Sequence, residues 1–362
     1  MNIVDFIAPQ NRQTVDSHQV ADIPQPSELP AAAKVDPPLG QLLEQASKGV
    51  NRQLGNLLRV QPPAEKLTSL LLTGATAQAD ITAFSEQLEG QRIRGQIWAQ
   101  QVDRTGTLMA HVQQTLSEAE QDRLIAAQQH VWAELDDKAA LPGNIADALD
   151  RRDAPPGEFF GKLRELIELI KNSYLAVYQH IIDGFTRFFG DFNQAITAKL
   201  KDWIEGVKDG KEVKLDVGQL AAALRTLVRK YSPPNPAAVL FPAPGMSNGA
   251  SRAEAQKWLA ALGLPAESLR KNTNGTYSVV MDLSPLNTMI SQLPTGASVT
   301  WDSARFQSWQ TGFNAQEERL KNMLQSFTQK YSNANAYHDN FNKILSSHLS
   351  QYAEMLRAML NI

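Results

Sequence analysis

Residues 159–196 read FFGKLRELIELIKNSYLAVYQHIIDGFTRFFGDFNQAI, and the spacing of their apolar side chains decides the fold. Phe159, Leu163, Leu166, Ile170, Tyr174, Val177, Ile181, Phe185, Phe188, Phe192 and Ile196 advance by 4, 3, 4, 4, 3, 4, 4, 3, 4 and 4 residues. Such steps put every one of them on a single face of an α-helix. The motif repeats every 11 residues, through Leu163, Tyr174, Phe185 and Ile196. Eleven residues over three turns is about 3.67 per turn, so the seam is expected to run nearly straight or slightly right-handed. One helix over 157–206 would be roughly 70 Å long. So aromatic a stripe reads as core, not as a cofactor box.

From Asp302 to the end no proline interrupts a second helical pattern. Phe306, Phe313, Leu320, Phe327, Ala334, Phe341, His348 and Met355 recur every seven residues, and Leu324, Tyr331, His338, Leu345, Tyr352 and Met359 follow four after most of them. Sustained heptads predict a coiled-coil strand over 302–362. Two long stripes separated in sequence must bury each other. The seam then takes Leu163, Ile170, Tyr174, Val177, Ile181, Phe185 and Phe188 from one strand, and Phe313, Leu320, Phe327, Phe341 and Leu345 from the other.

Between the strands, residues 207–300 change character. Val213–Leu215, Thr276–Asp282 and Val299–Trp301 are strand candidates. Asp216 caps a helix to Lys230, Ser251 and Glu254 form a capping box for a helix to Leu262, and Ser284-Pro285 opens a short helix to Leu293. This is a small mixed α/β module. Upstream, helical spacing over Leu39, Leu42, Leu43, Ala46, Val50, Leu54, Leu57 and Leu58 stops at Pro62-Pro63. Residues 76–138 then read as a hairpin. Its first arm carries Ile81, Phe84, Leu88, Ile97, Trp98, Val102 and Leu108, its turn lies near Ser117, and its second arm carries Leu124, Ala127, Val131, Trp132 and Leu135. Leu141-Pro142-Gly143 and Ala154-Pro155-Pro156-Gly157 bracket a linker. Residues 1–38 hold six of the 19 prolines and little periodicity, which reads as a disordered leader. The expected fold is mainly α: a long antiparallel central coiled coil with an N-terminal helical hairpin (39–150) and a small inserted α/β module.

Composition narrows the function. Thirty-five basic and 38 acidic residues give a net charge of −3, which offers no basic face for nucleic acid. No apolar run approaches the ~18 residues of a membrane span. With no cysteine, disulfides, thiolate metal sites and thiol nucleophiles are ruled out. That absence suits a reducing cytosol, the reading composition alone favours, and also suits export in an unfolded state. Met1–Pro9 lacks the basic and apolar regions of a classical signal peptide.

One catalytic pattern occurs. Gly245-Met246-Ser247-Asn248-Gly249 matches the nucleophile elbow G-x-S-x-G, with Asp282, Asp302 or Asp339 and then His338 or His348 downstream. An elbow needs a buried strand feeding the serine. Here Pro242 and Pro244 stand between the run Ala238–Phe241 and Ser247, and proline cannot donate to a central ladder. The six histidines (His18, His111, His130, His180, His338, His348) lack paired-ligand spacing. His338 and His348 fall on the C-terminal stripe as packing or pH-sensitive contacts. Gly210-Lys211 is no Walker loop, and nothing calls for a cofactor or a metal.

The C-terminal part resembles a known family. Trp301-Asp302-Ser303-Ala304-Arg305-Phe306-Gln307-Ser308-Trp309, Phe313, Gln316, Lys330-Tyr331-Ser332, Asn335, Asp339-Asn340, Lys343, Leu345-Ser346 and Leu360-Asn361-Ile362 are similar to the closing segment of type III secretion needle-tip proteins of the invasion plasmid antigen D class. Lys214-Leu215-Asp216, Asn274-Gly275 and Pro294 shortly before Trp301 also match. The likeness covers 157–362, while the first 150 residues match in layout alone.

The resemblance implies a ring of about five copies on the extracellular needle tip, which restrains secretion until host contact and templates assembly of the translocators. It implies that the hairpin acts as a self-chaperone covering the coil before export, and that in some members bile salts lodge between hairpin and coil. It further implies that needle docking uses the end of the last helix: Asp339, Asn340, Lys343, Leu356, Leu360 and Ile362. The export signal is expected in residues 1–20. Two rivals stand beside this reading, a filament or needle-sheath subunit with long terminal helices and a serine hydrolase using Ser247.

Overall fold

The computed structural model describes residues 38–75, 77–138 (the backbone alone from 134), 159–209, 211–245 and 249–360. The leader, the linker before Phe159, the Leu135 side chain, Ser247 and Ile362 lie outside the described residues.

Pro38 precedes α1 (Leu39–Leu58), which ends ahead of Pro62-Pro63. Pro63 then stands before a second, unexpected helix, α2 (Ala64–Leu72), built on the Leu70-Leu71-Leu72 run. The hairpin arms are α3 (Gln78–Gln114) and α4 (Glu118–Lys138). At their turn the Glu120 carboxylate accepts from the Ser117 backbone N–H at 3.0 Å and from its hydroxyl at 2.6 Å. The inward stripe of α3 is Ile81, Phe84, Leu88, Gln91, Gly95, Trp98, Val102, Thr105, Met109 and Val112. Ile97, expected within that stripe, points outward and is 44% exposed. One residue is about 100° on a helix, and Ile97 falls on the side of Trp98 away from the buried Ala99 and Val102.

The first coil strand is not one unbroken α-helix. It runs as α5 (Phe159–Glu168), a π-helical turn (Leu169–Leu175), α6 (Ala176–Phe192) and a second π-helical turn (Asn193–Thr197). The reason lies in the stripe. Its ten steps cover 37 residues, whereas a strict heptad seam advances 3.5 residues per turn and would need 35. The partner strand keeps strict heptads, so two residues are surplus, and each π-turn takes up one of them. Ring contacts agree. Phe159 meets Tyr352 at 6.3 Å between centroids and Phe185 meets Phe327 at 5.0 Å. Between those contacts the first strand uses 26 residues and the second 25. The expected straight or right-handed seam is thereby corrected: bulges remove the drift that the 11-residue period would impose.

After a short 3-10 turn (Leu200–Trp203) the chain enters β1 (Ile204–Val207), which the coil helix was expected to include. It pairs antiparallel with β2 (Glu212–Leu215), Ile204 opposite Leu215. Asp216 caps α7 (Val217–Lys230), its carboxylate accepting from the Gln219 N–H at 3.0 Å. There follow β3 (Val239–Phe241), α8 (Arg252–Leu262), β4 (Leu269–Lys271), β5 (Tyr277–Val280), α9 (Ser284–Ser291) and β6 (Val299–Asp302). The strand candidates do not share one sheet. One three-stranded sheet has the order β1-β2-β6 and the other β3-β5-β4. Asp302 then caps α10 (Ser303–Met359), a helix of 57 residues, accepting from the Arg305 N–H at 2.8 Å.

Two apolar cores result. One joins the module to the coil through Phe185, Phe188, Phe313, Leu320 and Phe327. The other joins α1, α3 and α4 to the coil's far end through Leu43, Val50, Trp98, Leu163, Ile170, Phe341 and Leu345. Val177 and Ile181 are buried, and Tyr174 touches both cores from a half-buried position.

Candidate functional site

The second half of α10 has three faces. Phe341, Leu345, Leu349, Tyr352 and Leu356 are buried, Leu356 completely. Asn340, Lys343, Ser347, Gln351 and Glu354 form an exposed stripe. The third face is polar, and the N-terminal helices lie along it.

Complementary polar pairs, on that face and beside the buried one, tie α10 to the N-terminal helices. Thr328 shares a hydrogen bond of 2.6 Å with Thr68 on α2. The Ser47 hydroxyl and Asn51 amide of α1 reach the Ser350 hydroxyl at 3.2 and 3.0 Å, and Arg357 meets Glu44 at 3.3 Å. Tyr352 accepts from Gln128 on α4 at 2.7 Å and donates to Gln113 on α3 at 3.1 Å. At the centre is Gln91 of α3, 1% exposed. Its amide donates to Gln61 at 3.0 Å and to Asn335 at 2.5 Å, while its carbonyl accepts from Gln179 of α6 at 2.9 Å and from the Tyr331 hydroxyl at 3.1 Å. One side chain thus ties the hairpin to both coil strands. Burial, and then the nearby Asp339 carboxylate, raises the Tyr331 hydroxyl far above its ordinary value, so it stays a donor. Buried amide networks of this kind fix register where an apolar interface would slide.

The six residues expected at a docking surface are distributed unevenly. Asn340 and Lys343 lie on the exposed stripe. Asp339 is shielded: its Oδ2 accepts from the Gln61 amide at 2.9 Å, and its Oδ1 lies 3.5 Å from His338 Nδ1. Leu356 belongs to the core and Leu360 is half-buried. His338 and His348 are both buried, with the Asn342 amide against the His338 ring at 3.1 Å. Gln61, Gln91 and Gln179 were not anticipated. The signal for Gln91 was present, since it occupies a position of the α3 stripe that is otherwise apolar or small.

A groove of about 470 Å³ opens between α3 and α5, with Val102, Leu163 and Ile167 as its floor and Arg164 on its rim. Gly106 lets the helices approach there, because a Cβ would sit 3.0 Å from Phe160 Cδ1. Arg164 and Asp103 pair across it at 3.2 Å. Among the described residues no cluster of His, Asp or Glu could hold a metal ion, and no helix is long and apolar enough to cross a membrane.

A coiled coil that bears a polar-paired helical hairpin on one flank and a sheet module between its strands is a protein whose accessible chemistry lies on helix faces. The chain belongs to the type III secretion systems tip complex components, whose family model matches residues 53–360. It is 38% identical over 219 residues to the cell invasion protein SipD of Salmonella typhi, covering 59% of this chain and 64% of that one. It is 38% identical over 197 residues to the invasin IpaD of Shigella flexneri, covering 53% and 57%. These matches span less than two thirds of the relatives' own lengths. A solved structure of a pathogenicity island 1 effector protein from Chromobacterium violaceum superposes with a TM-score of 0.61 at 29% identity, over 87% of this chain and 96% of that one.

Proposed function

We propose that this chain is the extracellular tip protein of a type III secretion needle, which controls effector release and assembly of the translocators on host contact. It docks on the needle protomer through the end of α10 and forms a ring of about five copies. The observation that carries this reading is the polar seat of the hairpin. Beside the apolar contacts of Leu43, Val50 and Trp98, amides and hydroxyls line the seat, and water can take over those polar bonds on release. The connection between α1 and α2 hides Asp339 behind Gln61 while Asn340 and Lys343 stay accessible, as suits an N-terminal self-chaperone region that covers part of the docking face. Export begins from a signal in residues 1–20.

The groove between α3 and α5 supports a bile-salt role through its apolar floor, with a ligand carboxylate taking the place of Asp103 at Arg164. Deleting Leu356–Ile362 should abolish binding to purified needles, and binding that survives the deletion overturns the docking assignment. Antibody label at the distal ends of needles is expected. Label along the shaft would favour a filament subunit.

A further inference from the structure

α3 carries a second seam, on the side away from the coil. Among the described residues the exposed large apolar side chains are Val60, Ile93 and Ile97, at 41%, 49% and 44%. The two isoleucines lie on the stripe Glu86, Gly90, Ile93, Ile97, Gln100 and Arg104, which steps by 4, 3, 4, 3 and 4 residues. That is heptad spacing on a face that no element among the described residues covers, since Glu86, Ile93, Ile97, Gln100 and Arg104 are all exposed.

The stripe has a symmetry that a single chain does not need. Its steps read the same from either end about residue 95, with an acid at the N-terminal end and a base at the C-terminal end. Laid antiparallel on a second copy of itself, Ile93 falls opposite the partner's Ile97. Glu86 then falls opposite the partner's Arg104, and Gly90 leaves room for the partner's Gln100. Glu86 and Arg104 have no ion-pair partner among the described residues. The flanking charges are already engaged within the chain: Glu89 by Arg92 at 2.8 Å, Asp103 by Arg164 at 3.2 Å, and Arg94 by the Val60 carbonyl at 3.0 Å. A groove of about 410 Å³ between this face and the first π-turn adds lateral surface.

We infer that the outer face of α3 is a two-fold docking surface for a second copy of this chain, paired antiparallel through Ile93 and Ile97. The contact is isologous and closes at two copies. Six seam residues per copy fall short of the ~1,200 Å² or more that stable complexes bury, so the pair is weak and depends on concentration.

Sedimentation equilibrium of the full chain over a wide concentration range tests it. A monomer–dimer equilibrium is expected, and Ile93→Asp should abolish it while leaving the helical circular dichroism unchanged. Glu86→Lys or Arg104→Glu alone places like charges at both ends and should weaken the dimer by roughly fivefold, whereas the double exchange Glu86→Lys with Arg104→Glu should restore it. Because the chain has no cysteine, Ile93→Cys and Ile97→Cys copies can be mixed and oxidised. The disulfide should form between unlike copies. A chain that stays monomeric throughout, a dimer indifferent to Ile93→Asp, failure of the double exchange to recover association, or equal cross-linking within each single variant would each overturn the inference.

Discussion

Replacing Gln91 with alanine tests whether the polar seat holds the hairpin. The side chain is 1% exposed and takes part in four hydrogen bonds, to Gln61, Asn335, Gln179 and Tyr331. Removing it leaves the Gln179 amide and the Tyr331 hydroxyl without their acceptor, and a buried orphan donor costs about 1–3 kcal/mol. Gln61 and Asn335 still bond each other at 2.8 Å, so their loss is smaller. A total of about 2–4 kcal/mol follows, and at about 1.4 kcal/mol per tenfold the open population of the hairpin should rise roughly 30- to 1,000-fold. Native-state hydrogen exchange reads this directly: amides of α3 should lose protection by that factor, while those of β5 and α7 keep theirs. Tyr331→Phe removes one orphan, so the double variant should recover about 1 kcal/mol relative to additivity. Unchanged α3 protection in a folded Gln91→Ala protein would refute the idea that this network governs the seat.

Burial holds the His180 imidazole below its ordinary value, against the opposing pull of the Val239 carbonyl, which it bonds at 2.8 Å, and of Asp183. A base whose folded value is depressed takes up protons more readily when unfolded. Its contribution is therefore complete above about pH 6.5 and is lost as the pH falls below it; the urea midpoint should drop between pH 7.5 and 5, and less so in His180→Gln. Gly249 has φ +139°, and a Cβ there would lie 1.8 Å from Thr276 Oγ1. Gly249→Ala should therefore lower stability by about 1–3 kcal/mol, whereas Ser247→Ala should change neither the melting temperature nor any secretion phenotype. Asp302→Ala removes the cap of α10 and should cost about 1 kcal/mol in chemical denaturation.

The coil was legible because periodicity over dozens of residues leaves few alternatives, and the capping residues Asp216, Ser251 and Asp302 were legible because each has one local job. What escaped the sequence had competing causes. Residues 193–207 continue an amphipathic pattern, yet Ile204–Val207 become a strand because β2, itself paired with β6 on its other edge, offers them a ladder. Pro62-Pro63 marks the end of α1, but the second proline also opens α2. The three strand candidates left the sheet pairing open, and tertiary pairing places Val213–Leu215 and Val299–Trp301 in one sheet and Tyr277–Val280 in the other. At the proposed docking face the sequence favours Asp339, Asn340 and Lys343 alike. Gln61, 278 residues away from Asp339, separates the first from the other two.

The π-turns bear on how such a strand can change over evolutionary time. In an unbroken helix, losing a residue rotates everything beyond it by about 100° and takes every later side chain off the seam. A π-turn already stores one residue that the packing does not require. Deleting a residue within 169–175 can relax that turn to regular α-helix and leave Phe159 and Phe185 facing Tyr352 and Phe327. The strand is therefore open to single-residue length variation at two fixed places, while α10, which has no such slack, must keep its residue count.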